Sequence, residues 1–285
     1  MRLISYQSSA GPRIAALRGE KYVDLAAGLP QSMRELLALG EAGLRRAAEA
    51  VAAGRELQPA EIQKLLAPVH DARKVICVGL NYADHARESG ATPPDEPVLF
   101  NKFPTALRGH GEPIILPRVS HEVDYEAELV VVIGRGGRHI AREQALEHVA
   151  GYCPGHDVSA RDWQLRKPGK QWLLGKTFDT FAPCGPALVT RDEAPNPGKL
   201  AIRMRLNGET MQDSNTDQFI FPVEELIAYI SQVCTLEPGD LIFTGTPPGV
   251  GFARQPPRFL KPGDVAEVEI EGLGVLRNPV AAEAG

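Results

Sequence analysis

Cysteine is scarce in this sequence. Cys77, Cys153, Cys184 and Cys234 are spread over 285 residues with no C-x-x-C pair. Structural zinc sites need closely spaced thiolates, so the four read as small core residues in a reducing compartment. Positive charge is not in excess either: 31 Lys+Arg stand against 36 Asp+Glu, a formal net charge of −5. Phosphate recognition rests on concentrated positive charge, so nucleic acid and anionic membrane surfaces are set aside as partners. No apolar run approaches the ~18 residues that a membrane helix needs. The opening Met1-Arg2-Leu3-Ile4-Ser5-Tyr6 turns polar before a signal-peptide core could form. The expected location is therefore cytoplasmic. A G-x-S-x-G nucleophile elbow is missing, and no Gly-Lys-Ser/Thr follows a glycine-rich loop, which excludes a Walker site.

Turn-forming residues, by contrast, are plentiful. Gly (28) and Pro (24) together make about 18% of the chain, above the usual ~12%. Hydrophobic content of 43% with 24% charged residues is that of a globular protein. The length fits one large domain plus something smaller, and the chain divides accordingly. Residues 1–70 hold short strand-like pieces at 2–6, 13–17 and 21–25. A Leu/Ala-rich stretch at 33–53 follows, reading as one or two helices with breaks at Gly40 or Gly43. Residues 71–285 are strand- and turn-rich. Strands are expected at 74–79, 123–134, 201–206, 241–243 and 265–270, and helices at 142–152 and 221–233. Asn207-Gly208 is a strong two-residue hairpin signal. The fold class is α+β and strand-rich, with a small N-terminal α/β domain.

The most informative stretch is Val123-Asp124-Tyr125-Glu126-Ala127-Glu128-Leu129-Val130-Val131-Val132-Ile133. Alternate side chains of a strand point to opposite faces. Val123, Tyr125, Ala127, Leu129, Val131 and Ile133 then form a wholly apolar face. The other face carries Asp124, Glu126 and Glu128 before turning apolar at Val130 and Val132, the pattern of a strand buried on both sides. Like charges about 7 Å apart in a low dielectric repel strongly. The acids must protonate, sit at a solvated strand end, pair with Arg or Lys, or bind a divalent metal. Asp157, in Gly155-His156-Asp157-Val158-Ser159, is either a further acid or a helix cap. Glu126, Glu128 and Asp157 together would be an all-oxygen site, which selects magnesium, manganese or calcium.

Other candidates are more local. His85 and Glu88 have the H-x-x-E spacing of one helix face, so the carboxylate can orient the imidazole as a base. Lys102 and Lys176 interrupt apolar or aromatic surroundings and can stabilise an enolate or bind a carboxylate, or snorkel to solvent. The loop Thr244-Gly245-Thr246-Pro247-Pro248-Gly249-Val250-Gly251 follows a strand and is suited to holding an anionic group on backbone N–H groups.

Taken together, Asp124-Tyr125-Glu126-Ala127-Glu128-Leu129, His156-Asp157-Val158-Ser159-Ala160-Arg161-Asp162, Gly175-Lys176-Thr177-Phe178-Asp179 and the 244–251 loop resemble the fumarylacetoacetate hydrolase family, in the family's order. Arg161-Asp162-Trp163-Gln164 and residues 170–176 look most like its branch called fumarylacetoacetate hydrolase domain-containing protein two. The resemblance implies a rolled mixed β-sheet, a homodimer, and Mg2+ or Mn2+ (Ca2+ as a substitute) on Glu126, Glu128 and Asp157. It implies a lid carrying His85 and Glu88, with Lys176 beside them as a catalytic group. Lys102, Arg161, Gln164, Lys176 and Thr246 match positions that bind substrate or support the site, and Gly245 beside Thr246 is expected to bind substrate with it. The expected activity is hydrolysis of a C–C bond in a small β-diketo, acylpyruvate-type 2-oxo acid through a metal-bound enolate. The alternatives are oxaloacetate tautomerase or decarboxylase, or dienedioate isomerase, on the same site. A non-catalytic binding protein on the same fold is the alternative of another class. Mammalian members of that branch are mitochondrial, but no presequence is visible here, which keeps the cytoplasmic expectation.

Overall fold

The strand Ala127–Ile133 is buried at every residue, and the protein is layered around it. Leu129, Val131 and Ile133 face one apolar cluster; Val130 and Val132 face another. In the computed structural model, which describes the chain except residues 26, 27, 90, 91, 195 and 285, this strand lies inside a ten-stranded mixed sheet. The order is Lys21–Asp24, Gly11–Arg18, Arg2–Ser8, Leu188–Thr190, Val149–His156, Ala127–Ile133, Leu241–Phe243, Val75–Gly79 and Val98–Lys102, with Lys64–Leu66 also paired to Arg2–Ser8. The Leu241–Phe243 and Val75–Gly79 pair is parallel. A second sheet of five strands runs Glu209–Asn215, Ala201–Leu206, Val265–Ile270, Gly274–Ala282 and Ile114–Leu116.

The first apolar cluster fills the space between these sheets. Ile202, Met204, Leu206, Val268 and Ile270 contribute from the smaller one. The helix Val223–Val233 adds Val223, Leu226, Ile227 and Ile230, whose spacing makes a single apolar stripe. Against the other face of the large sheet pack the helices Met33–Ala38 and Gly40–Ala53, through Met33, Leu36, Leu37 and Ala47. Ser32 caps the first of them by accepting the Glu35 N–H at 3.3 Å, and Gly40, at φ 61°, breaks the pair where the sequence places a break. Residues 1–70 have no sheet of their own, because Arg2–Ser8 pairs with Leu188–Thr190 and one sheet runs through both parts.

Two expected elements differ. The 123–134 strand is interrupted: Val123–Asp124 pairs with Ser159–Ala160, Tyr125 and Glu126 lie outside any ladder, and Ala127–Ile133 pairs with Val149–His156. The expected helix at 142–152 is a 3-10 segment, Arg142–His148, that gives way to the strand Val149–His156. Ladders on both sides claim the backbone of 149–156, so tertiary pairing overrides local helical preference. Asn207 and Gly208 do form the hairpin turn, both at positive φ. Cys77, Cys153 and Cys184 are buried free thiols, and Cys234 is half-buried. No helix among the described residues is long and apolar enough to cross a membrane.

Candidate active site

The interruption at Tyr125–Glu126 lies where the central sheet strand meets the turn after Val149–His156. His156 pairs with Ala127, and the Asp157 N–H donates to the Glu126 carbonyl at 2.9 Å. This register brings Asp157 beside the two glutamates. One carboxylate oxygen each from Glu126, Glu128 and Asp157 lies within 4.8 Å of the others, and all three residues are buried.

Three cations are built into the same place. Lys176 Nζ donates to Glu126 Oε2 and to Asp157 Oδ2, both at 2.8 Å. Arg161 donates from Nε to Asp124 Oδ2 at 2.8 Å and from a terminal nitrogen to Glu126 Oε1 at 2.6 Å. Lys102 Nζ lies 2.6 Å from Asp157 Oδ1. Among the described residues, the ion-pair partners of these four carboxyls, Asp124, Glu126, Glu128 and Asp157, are Lys102, Arg161 and Lys176, a shortfall of one cation. It falls on Glu128, whose partner is a backbone group: the Gly245 N–H, 2.8 Å from Oε2.

The electrostatics follow this arrangement. Burial pushes Glu126 up, but Lys176 and Arg161 outweigh it and hold the carboxyl down at about 2. Burial, then the neighbouring Asp157 and Glu126, push Glu128 well above the usual carboxylate range. Burial also lowers Lys102. It lowers Lys176 too, but Asp157 and Glu126 more than offset this and hold that amine above its ordinary value. Asp157 Oδ1 is buried and is held by the Lys102 ammonium as an ion pair at 2.6 Å rather than by an aligned hydrogen bond. The reason is geometric, because the three N–H groups of Lys102 go to the carbonyls of Val158 (3.0 Å), Phe181 (2.7 Å) and Lys176. Three converging hard oxygens with one cation too few around them fit a divalent cation, which would take Glu128 in its ionised form.

The triad faces a cavity of about 390 Å³, with Glu126 and Glu128 in its lining. Lys176, Arg161, Gln164 and Thr246 also line it, and Phe100, Trp172, Val250 and Phe252 are among its apolar walls. His85 reaches it from the helix Ala83–Ser89. Its Nδ1 lies 3.3 Å from Glu88 Oε2, which also accepts the Gly249 N–H at 3.1 Å. The helix is tied down by Asp84, which accepts from Ser214 Oγ at 2.5 Å. His85 and two of the three triad acids, Glu126 and Glu128, therefore line one cavity, and only folding brings them there.

The expected substrate-contacting residues are divided differently by the structure. Gln164 and Arg161 line the cavity, with Gln164 Oε1 accepting from Arg161 at 2.9 Å. Lys102 is no cavity residue: its ammonium is spent inside the protein, bracing Asp157 from behind. Gly245 sits at φ +99°, where an added Cβ would come 2.8 Å from Asn81 Cβ, and its N–H is committed to Glu128 rather than to a ligand. Thr246 donates its hydroxyl proton to the Ala127 carbonyl at 2.9 Å and accepts from Gln212. Gln212 also accepts the Ala127 N–H at 2.9 Å, so this buried side chain clips the loop to the triad strand. Its position in the sequence carries no signal of that. Asp124 does carry one, being the first acid of the alternating face.

Residues 74–281 match the profile described as the C-terminal domain of fumarylacetoacetate hydrolase. The chain belongs to the fumarylacetoacetate hydrolase family. A protein of Xenopus laevis named as a mitochondrial oxaloacetate tautomerase is 50% identical to it over 98% of this chain and 90% of its own length. The solved fumarylacetoacetate hydrolase of Exiguobacterium antarcticum superposes with a TM-score of 0.87 at 37% identity, covering 99% of this chain and all of its own. The 2-hydroxyhepta-2,4-diene-1,7-dioate isomerase of Mycobacterium marinum superposes at 0.79 and 35% identity, with both chains covered completely. The strand-rich α+β fold expected from the sequence is the fold of these family members, and the chain is a fumarylacetoacetate hydrolase family enzyme. The expected cytoplasmic location is corrected: the Xenopus relative is named mitochondrial, as are its counterparts in Bos taurus and Homo sapiens. Composition and the opening residues carry no information that outweighs relatives this similar.

Proposed function

We propose that this chain interconverts the keto and enol forms of oxaloacetate or a closely related small 2-oxo acid, using Mg2+ or Mn2+ held by Glu126, Glu128 and Asp157. The observation that carries the reading is the pairing, within one cavity, of a carboxylate triad short of one positive charge with an imidazole oriented by a carboxylate. Enolisation needs those two things: a centre that stabilises negative charge on oxygen, and a group that moves a proton at carbon. It needs no attacking water. The tautomerase name of a relative at 50% identity supports this outcome over C–C hydrolysis.

A dication bound to the triad would supply a Lewis acid that polarises the 2-oxo group and lowers the energy of the enolate. The remaining work belongs to side chains. Lys176 spends two N–H groups on Glu126 and Asp157 and keeps a third for the developing oxyanion. His85, held by Glu88, takes the proton from the carbon next to the 2-oxo group and hands a proton to the 2-oxo oxygen, so the C–H bond broken is matched by the O–H bond formed; the reverse direction runs the same two transfers backwards. Phe100, Trp172 and Phe252 give the cavity an apolar wall, which strengthens electrostatic interactions beside it relative to open water. Gln164 orients the substrate from the Arg161 side. The same reading takes the protein as a homodimer, which light scattering on the purified chain checks.

The test follows oxaloacetate in Mg2+ and in chelator, by enol absorbance for tautomerisation and by pyruvate formation for decarboxylation. The expected result is accelerated keto–enol relaxation with Mg2+ and no loss of total oxaloacetate. Acetate released from acetylpyruvate at a comparable rate would return the reading to C–C hydrolysis. No acceleration of either would overturn the enolate chemistry itself.

A further inference from the structure

Asp124 is wholly buried, and its carboxylate accepts four hydrogen bonds. Its Oδ1 accepts the N–H of Tyr125 at 2.8 Å and of Gly251 at 2.7 Å. Its Oδ2 accepts the N–H of Phe252 at 3.0 Å and Arg161 Nε at 2.8 Å. One side chain thus joins three parts of the site: the triad strand, the loop whose Val250 and Phe252 form the cavity wall, and the arginine that donates to Glu126. The approach of the loop needs a glycine. A Cβ on Gly251 would lie 2.6 Å from Asp124 Oδ1 and 1.9 Å from the Arg258 carbonyl.

From this geometry we infer that Asp124 is a positioning residue, which sets Glu126 for cation binding through Arg161 and locks the 250–253 wall of the cavity to the same point. The guanidinium plane is fixed by Asp124 on its Nε edge and by Gln164 on the other side, so the nitrogen that meets Glu126 has one place to be. Glu126 is held by Arg161 on Oε1 and by Lys176 on Oε2. Loosening the arginine frees one end of that carboxylate. Asparagine at position 124 preserves the volume but not the pattern. Its amide NH2 must face either the Tyr125 and Gly251 N–H groups or the Phe252 N–H and Arg161, a donor against donors in both orientations.

The inference rests on the cation site proposed above, and its test separates the two. Mn2+ binding to the purified protein is measured by electron paramagnetic resonance, without substrate, for the unaltered chain, Asp124→Asn, Glu126→Gln and the double variant. The expected result is Mn2+ affinity weakened about ten- to a hundredfold in Asp124→Asn, the range for residues that orient metal ligands. The double variant should be no weaker than Glu126→Gln alone, since Asp124 acts through Glu126. Steady-state kinetics should show kcat lowered as well as KM raised. Unchanged Mn2+ affinity in Asp124→Asn, or full additivity with Glu126→Gln, overturns the inference. If Asp124→Asn does not fold, Arg161→Lys decides. Its ammonium lacks the fork that spans Asp124 and Glu126, so unweakened Mn2+ binding there overturns the inference equally. Failure of the unaltered protein to bind Mn2+ overturns the cation site itself.

Discussion

Lys102 Nζ lies 2.6 Å from Asp157 Oδ1, and both side chains are fully buried. The lysine looks like a substrate group in sequence and acts in the fold as an internal brace, donating to three carbonyls from Val158, Lys176 and Phe181. Lys102→Met removes the charge and leaves those carbonyls and Asp157 without it. Breaking a buried pair by deleting one partner costs about 3–5 kcal/mol, so the variant should lose stability on that scale in urea unfolding under chelator. A loss within 1 kcal/mol would count against the bracing role.

Glu126→Gln tests the triad separately. The unaltered protein should melt higher as Mg2+ or Mn2+ is added, by mass action on the folded state. The variant should show little of that rise in a thermal-shift titration, and metal-dependent tautomerisation should be lost with it. A full rise in the variant would place the ion elsewhere.

The raised Glu128 carboxyl gives the metal-free protein a distinctive pH dependence. A group whose folded value lies above its unfolded one contributes stability at low pH, and that contribution disappears as pH rises through the folded value. Glu126, held at about 2, has the opposite sign: its contribution is present above the ordinary carboxylate range and disappears as pH falls toward 2. In chelator, ionisation of Glu128 should therefore lower stability from the ordinary carboxylate range upward. Saturating Mg2+ should remove that decline, because the ion takes the ionised carboxylate. Unfolding curves against pH, with and without Mg2+, check this. Calorimetry in buffers of different ionisation enthalpy should show proton release on metal binding.

His85→Ala and Glu88→Gln separate proton transfer from cation binding. Positioned general acid–base groups contribute about 10²–10⁴-fold, so His85→Ala should lower tautomerisation by that order while Mn2+ affinity stays unchanged. Glu88→Gln should cost less, because it loosens the imidazole and the Gly249 contact without removing the base. A His85→Ala enzyme with full turnover would move the proton transfer to another residue.

Local pattern alone determined the buried strand at 127–133, the alternating carboxylates at 124, 126 and 128, the Asn207-Gly208 hairpin, the break at Gly40 and the H-x-x-E pair. Each depends on side-chain alternation, helical spacing or a turn's backbone demands, all properties of near neighbours. The helix expected at 142–152 failed because residues 149–156 are claimed by strands on both sides, a fact about distant parts of the chain. The same holds for the roles of Lys102, Gly245 and Asp124. Their sequence signals say only that a cation, a glycine and an acid are present. Which atoms each meets was decided by three-dimensional register: Asp157 beside Glu126, residue 245 beside Glu128, residue 251 beside Asp124. A charge's partner in a buried site is set by packing across tens or hundreds of residues, and no spacing along the chain encodes it.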